Sequence, residues 1–131
     1  MLLAIAIAVA LASGPASDET LAAYAEDGTV YALHELGGAP FEAEATIGFS
    51  EGMAGGRAPC NSWRAELAVP YPWFELGPVA ATRAVCPDFA EERRFFEALG
   101  AMTLAEVAGP VLILSDGAGR EMVFRARPDP G

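Results

Sequence analysis

Only one stretch of this chain carries helical periodicity, and it stands among short strands that cannot cover it piecemeal. After Pro87-Asp88, the residues Phe89, Phe95, Phe96, Leu99 and Met102 fall on one broad side at about 3.6-residue spacing. Asp88 is placed to cap the free amides of the first turn, Glu91 can reach back to it, and Gly100 is a stop near the far end. Glu92 falls inside the apolar stripe, between Phe96 and Leu99 at about 100° per residue, while Glu91 and Arg94 point away. A carboxylate that faces a core is costly unless it is paired or hydrogen-bonded. The spacing therefore predicts a buried Glu92. Its first-choice partner is Arg83, whose planar fork binds a carboxylate at two points, and backbone amides are the second choice.

The stretches around this helix read as strands. Thr29 to Leu36 is the first and stops at Gly37-Gly38-Ala39-Pro40; Ala45 to Phe49 is the second and ends in the Ser50-Glu51-Gly52 turn. Met53 to Gly56 is glycine-rich and reads as a bulge or close backbone approach instead of a packed central strand. Trp63 to Leu67 alternates with period two, and Pro70 and Pro72 forbid regular pairing around Tyr71. Trp73 to Leu76 and Val79 to Val85 read as two further strands. Val111 to Leu114 and Glu121 to Arg125 flank a glycine-bearing loop, a hairpin signature. One helix among many short strands implies an α+β domain: a strongly curved antiparallel sheet packed on that helix.

The start of the chain bears on its compartment. Residues 2 to 12 form an uncharged apolar run, far shorter than the roughly 20 residues a spanning helix requires. Its length suits the apolar core of a secretory signal, and Ala10 and Ala12 fit the two small-residue positions before a cut that leaves Ser13 as N-terminus. Residues 13–28 then form a loose acidic leader, 29–127 the domain, and 128–131 a polar tail. No cysteine precedes Cys60, so the signal is not of the lipidated kind, and the expected location is periplasmic or secreted. A net charge of −10, from 18 acidic residues against 8 arginines and no lysine, repels phosphate backbones and anionic headgroups, which argues against nucleic acid as a partner.

Little chemistry is available. The lone histidine, His34, sits in the first strand and reads as a strand residue; zinc spacing is absent, and Asp116 before Gly117 lacks the run of oxygen ligands that calcium needs. Phosphate loops, dinucleotide fingerprints and nucleophile elbows do not occur. The two cysteines leave a choice. In an exported chain Cys60 and Cys86 most simply form a disulfide, closing a loop worth roughly 3.5 kcal/mol in the chain-entropy model. Alternatively, Cys86 near the helix N-terminus is a reactive thiol.

The motifs resemble a known family. Gly56-Arg57-Ala58-Pro59-Cys60-Asn61 is similar to the Gly-x-x-Gly-Cys-Asn pattern of the META domain, found in HslJ-like envelope proteins of bacteria. Ala81-Thr82-Arg83-x-x-Cys86-Pro87 resembles its second signature, Glu92, Phe95 and Leu99 match its helix pattern, and Tyr31-x-Leu33 and Leu112-x-Leu114 stand where it has strands. The likeness covers about residues 29–127, with Pro59 in place of the usual glycine and Tyr31 in place of the usual tryptophan. It implies an open or cracked β-barrel with one packed helix, no cofactor and no established catalytic activity, and a general link to envelope stress, antibiotic tolerance or secretion.

The expectation is therefore a monomeric, exported, non-enzymatic module that binds a protein partner or an apolar ligand in the cleft between helix and sheet. The aromatics Trp63, Tyr71, Trp73 and Phe74 are candidates for contact with it. The alternatives are a thiol–disulfide active protein using Cys60 and Cys86, or an inhibitor-like exported domain.

Overall fold

The computed structural model describes residues 28–128. The presumed export segment, nearly all of the leader and the last residues of the tail lie outside them. The strands are β1 (Tyr31–Leu36), β2 (Ala39–Pro40), β3 (Thr46–Ser50), β4 (Met53–Arg57), β5 (Ser62–Glu66) and β6 (Ala80–Ala81). The helix α1 (Phe89–Ala101) follows, then β7 (Leu104–Ala108), β8 (Val111–Ser115) and β9 (Glu121–Ala126). They build one antiparallel sheet in the order β6-β5-β4-β3-β1-β9-β8-β7, with β2 folded back on β1. The sheet curves over α1 without closing.

Local sequence explains the turns and irregularities. Gly37 and Gly38 both have positive φ (65° and 87°), the backbone of a two-residue hairpin that suits strand twist. That pair therefore turns β1 into the short β2 instead of ending the strand region. Within β1 the register against β9 shifts between Leu33 and Glu35, so His34 is the extra residue of a bulge. The bulge resets the alternation: His34 and Glu35 are both exposed, and Leu36 returns to the core.

The glycine-rich stretch behaves differently from its sequence reading. Met53–Arg57 is an interior strand with a full ladder to β5 and three pairs to β3. Close approach is what the glycines serve, since a Cβ on Gly56 would stand 2.4 Å from the Thr46 carbonyl oxygen. Two other stretches form less strand than their patterns implied. Of residues 79 to 85 only Ala80–Ala81 pair regularly with β5, because both backbone groups of Ala84 bond the Asn61 side chain instead. Trp73 to Leu76 contributes only isolated bridges, Trp73 to Leu104 and Leu67 to Leu76.

Residues 71–74 form a strap along the outer edge of β7. Phe74 N–H donates to Thr103 O (2.8 Å), Ala105 N–H to Pro72 O (2.8 Å) and Val107 N–H to the Tyr71 hydroxyl (3.0 Å). A single core lies between sheet and helix. Phe95, Ala98, Leu99 and Met102 of α1 meet Ile47, Trp63, Leu112, Leu114, Met122 and Phe124 of the sheet, with Phe74 from the strap, all buried. Phe89 departs from the expected stripe and stays 39% exposed. No helix among the described residues is long and apolar enough to cross a membrane.

Candidate functional site

The two signature stretches and the helix converge at one end of the sheet. The β4–β5 loop carries Cys60 and Asn61, the segment after β6 carries Thr82, Arg83 and Cys86, and the first turns of α1 present Glu92. Cys60 and Cys86 are joined by a disulfide, with Cα atoms 5.5 Å apart. This bridge ties the loop to the segment that enters the helix.

Glu92 is buried, 5% exposed, as its place in the apolar stripe predicts. Its partners differ from the first expectation. Oε1 accepts the backbone N–H of Cys60 (2.8 Å) and Oε2 accepts Asn61 Nδ2 (2.7 Å). Arg83 is exposed and makes no ion pair with it. The second-choice class of partner, a backbone amide, is present, joined by a side chain that helix geometry alone could not name.

Asn61 is the hub of the cluster. Its Nδ2 donates to Glu92 and to Ala84 O (2.9 Å); its Oδ1 accepts the Thr82 hydroxyl (2.8 Å) and Ala84 N–H (2.6 Å). That is the full hydrogen-bonding capacity of an amide side chain, two donors and two acceptor lone pairs. Thr82 Oγ1 in turn accepts Ser62 N–H (3.2 Å), and Asn61 O accepts Ala58 N–H (2.6 Å), which shapes the Pro59-Cys60 turn. No buried side-chain polar atom among the described residues lacks a partner.

Gly56 and Thr46 support this corner from below. Thr46, buried although polar, accepts Arg57 N–H at its hydroxyl (2.9 Å) and Trp63 Nε1–H at its carbonyl (3.3 Å). Trp63 then packs edge-on against Phe95 (6.1 Å) and Phe96 (6.3 Å), so β5 and α1 are locked by rings as well as by the Glu92 bonds. Sequence reasoning missed Thr46; an isolated threonine in an apolar strand gives no signal of its role.

The remaining candidates divide cleanly. Phe95 and Leu99 are core residues, and Trp63 and Phe74 are buried with them, so they are not available to a ligand. Tyr71 is half-buried against β7, and Trp73 is 57% exposed. The apolar side chains between helix and sheet form one buried core. Asp88 is the residue before the helix, but its side chain makes no capping bond; Glu91 pairs with Arg94 (2.5 Å) instead of reaching back. Among the described residues no group of three or more histidine, cysteine or acidic side chains is placed to hold a metal ion.

On the helix's outer side a second polar cluster ties α1 to the β8–β9 turn. Asp116 accepts Ala118 and Arg120 N–H at one oxygen (2.9 and 2.8 Å), and Arg120 bridges Asp116 and Glu97. The Arg120 backbone bond foremost, against an opposing push from desolvation, holds the Asp116 carboxyl below its usual range. The Arg120 side chain does the same for Glu97.

Comparison with known proteins bears on the family and the fold. The family model of the META domain matches residues 22–129. A solution structure determined by NMR from Burkholderia xenovorans aligns with a TM-score of 0.64 at 19% identity, covering 98% of this chain and 97% of that one. A second NMR structure aligns with a TM-score of 0.57 at 20% identity, covering 74% of this chain and 87% of that one. No curated protein matches the chain.

Proposed function

The chain belongs to the META domain family, and on that premise we propose that it is an exported, non-enzymatic module of the cell envelope that acts by binding a protein partner. The observation that carries this reading is the Cys60–Cys86 disulfide beside the Asn61–Glu92 bonds. Disulfides persist in oxidising compartments, and this one is compatible with the apolar run at residues 2 to 12 serving as an export signal. Asn61 and Thr82 of the two signatures and Glu92 of the helix are engaged with one another and with the backbone, so they serve the fold. What remains for function is the exposed surface that the fold presents. A role in envelope stress or antibiotic tolerance follows from the family resemblance and belongs to the same proposal.

Fractionation of the native host, with thiol alkylation and intact mass, tests export. The expected result is envelope-fraction protein cut after Ala12, with both cysteines oxidised. A full-length reduced protein in the cytoplasm overturns the reading. Affinity capture from envelope extract then tests partner binding, and a chain that retains nothing above a scrambled-surface control counts against it.

A further inference from the structure

The two ends of the sheet are treated differently by the chain. At the β7 end the strap takes the outward N–H groups of Ala105 and Val107. At the other end β6 pairs with β5 on one side, Trp63 opposite Ala81 and Arg64 opposite Ala80, and among the described residues no strand pairs with its other side. Thr82 N–H points inward to Ser62 O at 3.1 Å. By the alternation of an antiparallel ladder, the N–H and C=O of Ala81 therefore point away from the sheet. Such an edge is a template for another strand.

The composition of this edge fits a strand receiver. Residues 78 to 85 are all exposed, including Val79 at 42% and Val85 at 78%, and Arg83 is the one charged residue among them. β6 is only two residues long, with Pro78 before it and Arg83 after it, which keeps the edge short, and no strand or loop among the described residues covers the outward groups of Ala81. Beside it Ser62, Trp63, Arg64, Ala80, Ala81 and Thr82 line an open hollow of about 380 Å³.

Charge selects the occupant. Arg94, Arg120 and Arg127 are engaged by acids; of the five arginines without an ion pair among the described residues (Arg57, Arg64, Arg83, Arg93 and Arg125), Arg64 and Arg83 flank the edge. The nearest acid on the exposed face of β5 is Glu66, which lies beyond the hollow against Gly77. In a chain of net charge −10, two unengaged arginines at one open edge favour an acidic guest.

We propose that the open edge of β6 receives an extended acidic segment of a partner protein as an added antiparallel or parallel strand. Its backbone bonds Ala81, and its carboxylates meet Arg64 and Arg83. This deepens the binding-module reading and rests on it: the added strand supplies main-chain bonds, and the side chains on its inner face supply specificity.

The probe is a labelled peptide of about ten residues alternating glutamate and valine, with a lysine–valine counterpart, titrated against the full chain by fluorescence anisotropy. The glutamate peptide is expected to bind at least about tenfold more tightly than the lysine peptide, and less tightly at high salt. Ala81→Pro removes the outward donor at a position where an edge strand tolerates proline, and it should weaken binding about tenfold with an unchanged thermal midpoint. The Arg64→Ser/Arg83→Ser double variant should abolish the preference for glutamate over lysine. Equal binding of both peptides, or binding indifferent to Ala81→Pro and to the arginine changes, overturns the proposal. So does a dimer in sedimentation that Ala81→Pro dissolves, since the occupant is then a second copy of this chain. If envelope capture retains a partner that the Ala81→Pro variant holds equally well, the edge proposal fails while the binding-module reading stands.

Discussion

Asn61 Nδ2 lies 2.7 Å from Glu92 Oε2, and this bond joins the β4–β5 loop to the helix across 31 residues of sequence. The same nitrogen and its neighbouring oxygen also take both backbone groups of Ala84. Loop, entering segment and helix are thus fixed to one another by one amide side chain, with the disulfide alongside.

Glu92→Ala leaves Asn61 Nδ2 short of one acceptor and the Cys60 N–H without any. The expected loss is about 3 kcal/mol, since bonds to a charged group are worth more than neutral ones and orphaned donors add their own penalty. Glu91→Ala removes only an exposed pair with Arg94 and should stay within about 0.5 kcal/mol. Urea denaturation midpoints for the two variants check the contrast; equal effects would reject it.

Asn61→Ala and Glu92→Ala should not add. They share one bond and one set of neighbours, so a double-mutant cycle should give a coupling of about 1–2 kcal/mol. Chemical denaturation of the four proteins, with matching slopes, measures it.

Replacing both cysteines with alanine should lower stability by about 3.5 kcal/mol in the chain-entropy model. A thermal scan with and without reductant checks this from the other direction. Reductant should lower the wild-type midpoint and leave the double variant unmoved.

Two glycines should respond oppositely to alanine. At Gly56 the new Cβ meets Thr46 O at 2.4 Å and Thr46 Oγ1 at 2.8 Å, both inside van der Waals contact, so Gly56→Ala should cost about 2 kcal/mol or more. At Gly100, inside α1, a Cβ meets nothing within 4 Å, and Gly100→Ala should stabilise the helix by about 0.5–1 kcal/mol. Midpoints moving in the same direction would contradict this.

The acid limb of stability should carry the signature of Asp116. Its carboxyl is held below its ordinary 3.8, so its contribution is complete above that value and is lost as pH falls through the lowered one. As pH falls from 3.8 through the lowered pKa the wild type should lose stability more steeply than Asp116→Asn. Urea midpoints across that range decide it; parallel profiles would remove Asp116 from the account.

Periodicity and turn chemistry were enough to place α1, β1, β3, β5 and the β8–β9 hairpin, because each carries its own local signal. The burial of Glu92 was legible for the same reason: it is a question of angle on one helix. Its partner was not. Arg83 is near in sequence, but the segment after β6 leaves its side chain exposed, and topology brings Asn61 in from an earlier loop. β7 was missed because Leu104-Ala-Glu-Val-Ala is short and small, and its partners in the strap are the Pro72 carbonyl and the Tyr71 hydroxyl. β4 looked too glycine-rich for an interior strand, and only the contact between Gly56 and Thr46 shows why glycine is needed there.

The pairing of β1 with β9 has a kinetic meaning. Tyr31 lies opposite Ala126 and Leu36 opposite Met122, so the first long strand has its central neighbour in the last one. Until β9 has been synthesised, neither β1 nor β8 has a partner on that side, and the two halves of the sheet are unconnected. A contact so distant along the chain makes acquisition of the native state slow and late.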